Sequence, residues 1–196
     1  MRLNIVSTVI AATTLVAAAP FAAQADGLRF PFIGSLQGGG RVVMAGSPGY
    51  TADYMARCGG APVLETEATG NTSLLGLVDD FQTHCLGLPV VVNGQVDHLP
   101  FFNGRFRFTD TNGRFIEGQY QGKLTPTVGS LPPPAAGAPP TGTWIIEGEV
   151  CISGASPQLH IANDCAAGRY FPARGVSDPL AATATIYLNQ TLGVKW

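Results

Sequence analysis

The residues with the most chemistry to offer are few. Of the three histidines, His84 stands directly before Cys85 and His98 directly after Asp97. An imidazole beside a carboxylate, with a second imidazole in the chain, is material for an acid/base pair or for metal ligation. The spacing of the two histidines matches no established metal motif, so no metal is expected. Adjacency in sequence also sets neighbouring side chains on opposite faces of a strand. His84, His98 and Tyr120 are therefore weak catalytic candidates, with loop or strand-end histidines near a disulfide as the plainer reading. His160, between Pro157 and Cys165, belongs to an exposed disulfide loop.

The carboxylates come in pairs: Glu65/Glu67, Asp79/Asp80 and Glu147/Glu149. A glycosidase needs two carboxylates on facing elements at a set separation, and nothing selects such partners here. Alternation instead groups Glu117, Gln119, Gln121, Lys123, Glu147 and Glu149 as a solvated outer sheet face. Gly38-Gly39-Gly40 before Arg41 lacks the Gly-Lys-Ser/Thr ending and following helix of a phosphate loop, and reads as a flexible turn or bulge. There is no G-x-S-x-G elbow for a hydrolase. What remains is an aromatic set: Phe101, Phe102, Phe106, Phe108, Phe115, Tyr120, Trp144 and Tyr187. In a small barrel these fill the interior or line a mouth. Phe106, Phe108, Tyr120 and Trp144 are the expected ligand-binding residues, Tyr120 and Trp144 offering polar handles.

The elements that would carry these residues are strands. The chain has 25 Gly and 15 Pro in 196 residues, with 12% charged side chains, which argues against helical bundles. Ile116, Gly118, Tyr120, Gly122 and Leu124 alternate with Glu117, Gln119, Gln121 and Lys123, predicting a half-buried strand over 114–124. Arg105 and Arg107 alternate with Phe106 and Phe108, predicting a strand over 103–109. Asp110-Thr111-Asn112-Gly113 joins the two, its Asn-Gly supplying the positive φ angles of a tight hairpin. Further strands are predicted over 143–153 and 182–189, weaker ones over 28–33, 41–44 and 73–83, and one helical turn over 51–57. The stretch 125–141, with Pro132-Pro133-Pro134 and Pro139-Pro140, reads as a long hairpin loop of polyproline character.

Seven or eight short antiparallel strands must resolve their edges by closing into a barrel, the alternative being a two-sheet β-sandwich. Gly118, Gly122 and Gly148, on otherwise apolar faces, favour the barrel, since strands bend or approach closely where side chains are missing.

Residues 1–25 read as a cleaved signal peptide: Arg2, an apolar run from Ile5 to Phe21, then Ala23-Gln24-Ala25 before the cut. Residues 26–196 form the mature domain, secreted or periplasmic and without a membrane span. Cys58, Cys85, Cys151 and Cys165, an even number in an exported chain, read as two disulfides. Of the three connectivities, Cys58–Cys85 with Cys151–Cys165 is preferred, because each encloses a loop without crossing the Pro-rich stretch. A formal charge of −2 gives no basis for nucleic-acid binding.

Gly168-Arg169-Tyr170-Phe171-Pro172-Ala173-Arg174-Gly175 is similar to the G-x-F-R-x-A-R-G signature of dirigent proteins. It also resembles the G-R-F-x-x-A-x-G segment of bacterial secreted proteins of the allene oxide cyclase-like barrel type. Ser73-Leu74-Leu75-Gly76 leading to Thr83-His84-Cys85 fits the bacterial group. So does Asn103-Gly104 with Phe106, Phe108, Asn112-Gly113, Gly118, Tyr120 and Gly122. The pattern departs at Cys165-Ala166-Ala167, where that group has Gly-Gly-Thr. The resemblance implies a single antiparallel eight-stranded barrel with an apolar lumen open at one end and no organic cofactor. It carries no catalytic residue across, and fold analogy alone does not fix function.

The leading functional expectation is an exported, non-enzymatic barrel that binds a small hydrophobic ligand or serves envelope interactions. A cofactor-free cyclase or isomerase using the lumen, with His84, His98 or Tyr120 as acid/base, is the second. A structural or adhesive protein whose contact is the 125–141 loop is the third.

Overall fold

The computed structural model describes residues 29–130, 141–178 and 183–193, with backbone alone for 29–33 and 183–193. The leader and the Pro-rich segment 131–140 lie outside the described residues. In chain order the elements are β1 (Arg29–Val43), α1 (Ala52–Cys58), β2 (Val63–Thr72), β3 (Gly76–Leu86), β4 (Val90–Val92), β5 (Gln95–Asp110), β6 (Phe115–Pro126), β7 (Trp144–Ala155), a 3₁₀ turn at Pro157–Leu159, β8 (Phe171–Asp178) and β9 (Thr183–Gly193).

All the pairings are antiparallel. The hydrogen-bonded order is β3-β2-β1-β9-β8-β7-β6-β5-β4, and β3 also pairs with β5. The long strands thus curl into a barrel-like ring that returns on itself, with β4 a short addition outside it. This is one continuous sheet, as the barrel reading requires, and not the two facing sheets of a sandwich.

Several sequence expectations need correction. Gly38-Gly39-Gly40 is not a turn: it lies inside β1, paired residue by residue with Ala68, Glu67 and Thr66 of β2. Strands β2 and β8 form where the pattern predicts none, and the strand expected from Ser73 begins at Gly76. The hairpin between β5 and β6 turns at the expected residues, but only Gly113 has positive φ, at 77°. Asp110 replaces the tight two-residue device. Its Oδ1 accepts the backbone N–H of Asn112 at 2.9 Å and of Arg114 at 2.8 Å, and its Oδ2 accepts Arg114 Nε at 2.7 Å. Similarly, β6 runs on through Pro126, opposite Trp144, so the Pro-rich loop starts later than its composition indicates.

The interior faces pack Leu36, Leu75, Val78, Phe106, Phe108, Ile116, Val150 and Ile152 together. The outer face of β6 and β7 is polar, as alternation requires. Gln121 donates to Glu149 at 2.6 Å, and Lys123 sits 3.6 Å from Glu147. A second cluster lies outside the ring, where α1 packs Tyr54 and Cys58 against Val63 and Cys85. Thr51 caps that helix by accepting the Tyr54 N–H, and Gly59, at φ 60°, closes it with a bond to the Met55 carbonyl. The disulfides are Cys58–Cys85 and Cys151–Cys165. They form the preferred pairing and belong to the chemistry of an oxidising compartment. Among the described residues no helix is long and apolar enough to cross a membrane.

Candidate functional site

Val78, Asp80, Gln82 and His84 share the inner face of β3 by alternation. Across β5, whose inner position there is Gly104, lies Tyr120 of β6. The Tyr120 hydroxyl sits 2.8 Å from His84 Nδ1. This contact spans two strand spacings, and it is possible because Gly104 has no side chain. A Cβ at Gly104 would stand 2.7 Å from the Tyr120 ring and 2.7 Å from its carbonyl oxygen. The same device recurs on β6. The Phe106 ring lies over Gly118 and the Phe101 ring over Gly122, each within 3 Å of where a Cβ would be. The glycines of the apolar faces are therefore seats for aromatic rings from the adjoining strand. Phe101, Phe106 and His84 surround Tyr120 with centroid separations of 5.8, 6.3 and 5.7 Å.

A bulge places Phe101 and Gly104 together on the inside. The β5–β6 register shifts between them, and Asn103 takes φ 50°. Helix α1 clamps that bulge from outside. Arg57 donates to the Asn103 carbonyl and, at 3.1 Å, to Thr83 Oγ1, while Asn103 Nδ2 donates back to the Arg57 carbonyl at 2.6 Å. Asp53 holds the same guanidinium at 2.9 Å. With the Cys58–Cys85 bond beside it, the strand segment that carries His84 is fixed from behind.

Burial governs the electrostatics. It pulls the His84 imidazolium down to about 4, with the Arg57 charge acting the same way, so His84 is neutral at pH 7. Burial also raises the Tyr120 phenol, helped by the negative charge of Asp80. With the Tyr120 hydroxyl as donor to Nδ1, Nε2 carries the hydrogen; in the other tautomer Nδ1–H donates to the hydroxyl and Nε2 is a bare acceptor. Nε2 has no partner among the described residues and almost no accessible surface, although the ring as a whole is only half-buried. Along the same strand, Asp80 is 3% exposed. Burial pushes its carboxyl up to about 7 against the opposing bond from Gln82 at 2.6 Å. Its Oδ1 is likewise unpartnered.

The interior is graded. Toward Ile116 and Ile152 it is packed solid. Past Tyr120, the inward positions Gly122, Leu124, Ile146 and Gly148 keep accessible surface. Trp144, further along the same face, is fully buried, and its indole N–H is taken by the Thr141 carbonyl at 3.0 Å. It therefore offers no free polar handle.

Of the expected site residues, the structure brings His84, Tyr120 and Phe106 together, with Phe108 stacked on Phe106 at 5.0 Å. It does not bring in His98, whose Nδ1 pairs with neighbouring Asp97 at 2.7 Å on the part of β5 that meets β4. His160 is exposed, as expected. Phe101, Gly104 and Asp80 join the site beyond the expected residues. Glycine on an aromatic-rich face is the available signal for Gly104. Among the described residues no group of three or more His, Cys, Asp or Glu is placed to hold a metal ion. No family model, curated protein or solved structure matches the chain.

Proposed function

We propose that the protein is an exported barrel that binds a small, largely apolar molecule inside the ring, between the Phe101–Tyr120 cluster and Trp144. One observation carries this reading: His84 Nε2 is buried without a partner among the described residues, while Nδ1 is held by Tyr120. An orphaned buried N–H costs about 1–3 kcal/mol; because Nε2 has almost no accessible surface, a ligand oxygen relieves that cost only as neighbouring side chains give way to it. In the tautomer with hydrogen on Nε2, the ligand is an apolar body bearing one carbonyl or ether oxygen. Export is supported by the three-part leader over 1–25 together with two disulfides. The likeness to the allene oxide cyclase and dirigent barrels agrees with a lumen that receives apolar molecules.

Binding is favoured over catalysis. A general acid or base works best with a pKa near the working pH, and burial drives His84 and Tyr120 away from it in opposite directions. Asp80, at about 7, sits four residues along β3 from His84, a span of about 13 Å, at the packed end. Native mass spectrometry of protein purified from its own source tests the reading. A retained small molecule that is lost in His84→Phe supports it. Repeated absence of any adduct, with no uptake of added long-chain ketones, would overturn it.

A further inference from the structure

The outer face of β1, β2, β3 and β5 is hollowed into an open groove of about 530 Å³, whose lining also takes in Gly38, Ala68 and Asp80. Register places its side chains in two rows. Gln37, Thr69, Asp79 and Thr109 are cross-strand neighbours in one. Glu67, Phe81 and Arg107 are neighbours in the next. Phe81, near the centre, is 46% exposed amid polar groups.

We propose that this groove binds a neutral oligosaccharide, with Phe81 as the stacking platform and Glu67 and Asp79 accepting hydrogen bonds from its hydroxyls. A pyranose ring has an apolar C–H face and a rim of hydroxyls, so it needs a flat apolar surface ringed by acceptors. Strand geometry supplies both at the right scale. Glu67 stands one strand away from Phe81, about 4.8 Å, and Asp79 two residues along, about 6.7 Å. The acceptors are available: the side chains of Glu67, Asp79, Thr69 and Gln37 make no hydrogen bond or ion pair to the described residues. The one cation among the described residues that line the groove is engaged elsewhere. The Arg107 guanidinium lies 3.8 Å over the Phe115 ring and bonds Glu117 at 2.9 Å. The groove's carboxylates, Glu67 and Asp79, make no ion pair, although Arg41 acts on Glu67 from nearby, and their negative charge disfavours phosphates, uronates and nucleic acid. The volume lies within the range of about 300–1,000 Å³ that small-molecule sites occupy. Asp80 borders both the groove and the interior, but the stacking platform and acceptors lie on the outer face, so this inference does not depend on the interior reading.

Titration of the intact protein with cello-, xylo-, malto- and chito-tetraose, followed by calorimetry and NMR, is the test, with a tetralysine peptide and inorganic phosphate alongside. Saturable binding of at least one tetrasaccharide is expected. Phe81→Ala and Asp79→Ala should each weaken it by roughly tenfold or more, Phe81→Tyr should keep it, and His84→Phe, in the interior, should leave it unchanged. Phe81 is exposed, so its replacement is not expected to unfold the protein, and an unchanged melting temperature confirms that. Absence of saturable binding by all four sugars would overturn the proposal. So would sugar binding that survives both groove variants, or tighter binding of tetralysine or phosphate than of any sugar.

Discussion

Tyr120 reaches His84 across Gly104, its hydroxyl 2.8 Å from Nδ1 and its ring lying where a Gly104 side chain would be. One missing methyl group therefore holds a contact between strands that are not hydrogen-bonded to each other. Gly104→Ala is expected to displace the ring and destabilise the fold by about 1–3 kcal/mol, the range for overpacking. Tyr120→Ala carries its own cost from the lost ring and hydrogen bond, but in that background the added penalty of Gly104→Ala should be smaller without vanishing. The new Cβ would still stand 2.7 Å from the residue-120 carbonyl oxygen. Denaturant unfolding of the three variants measures both effects.

The tautomer is directly observable. Nitrogen-15 NMR of His84 should show hydrogen on Nε2 and none on Nδ1 at neutral pH. Tyr120→Phe removes the donor, leaves Nδ1 buried without its partner, and should cost about 1–3 kcal/mol. An unchanged tautomer and unchanged stability in Tyr120→Phe would contradict the hydrogen bond.

His84 and Asp80 should oppose each other in the pH dependence of stability. Asp80 is raised from 3.8 to about 7. Its contribution is fully present below pH 3.8 and is lost as pH rises through 7. His84 is lowered from 6.5 to about 4. Its contribution is present above pH 6.5 and is lost as pH falls through 4. A tenfold change in proton affinity on folding is worth about 1.4 kcal/mol, so between pH 4 and 6.5 the two slopes largely cancel. Asp80→Asn should expose the His84 slope, with stability falling as pH falls from 6.5 to 4. His84→Phe should expose the Asp80 slope, with stability falling as pH rises from 4 to 7. Chemical denaturation at several pH values reads both signs.

Removing the Cys58–Cys85 bond, with both residues changed to Ala, should cost about 3 kcal/mol in the chain-entropy account. The site should register the loss as well. With α1 no longer bonded to β3, solvent gains access to the segment around His84, and its pKa should rise from about 4 toward the ordinary 6.5. The same change at Cys151 and Cys165 should lower stability without moving the His84 titration. Proton NMR of the imidazole separates the two cases.

The hairpin from Asn103 to Leu124 is readable because aromatic and charged residues alternate without interruption, and period two has one structural meaning. Strand β2 is not. Its inward residues Thr66, Ala68 and Gly70 are too small and polar to draw an apolar stripe. They face β1 where Gly38 allows such close approach that a Cβ there would stand 2.4 Å from the Ala68 Cα. In β1 the triple glycine imitates a turn for the same reason: the side chains that define a strand's faces are missing where backbones are pressed together. At the site, His84 and Tyr120 are both visible as residues, but their meeting depends on the bulge at Asn103 and on Arg57 behind it. Those contacts join residues 46 apart in sequence, beyond any local pattern. Asp80 reads as half of an acidic pair, although alternation from Val78 through His84 already turns it inward.

The pairing of β1 with β9 makes the first strand and the last the two lips of a single seam. A chain emerging from its N-terminus cannot zip that seam until nearly all of it has been delivered. Until then β1 and its growing neighbours carry a bare hydrogen-bonding edge. Long-range strand pairings are slow to form, and the outer groove and the inner aromatic cluster both lie on strands that can pair before this one. Both sites can therefore be assembled on an open curl, with closure of the seam as the final step that shuts the interior.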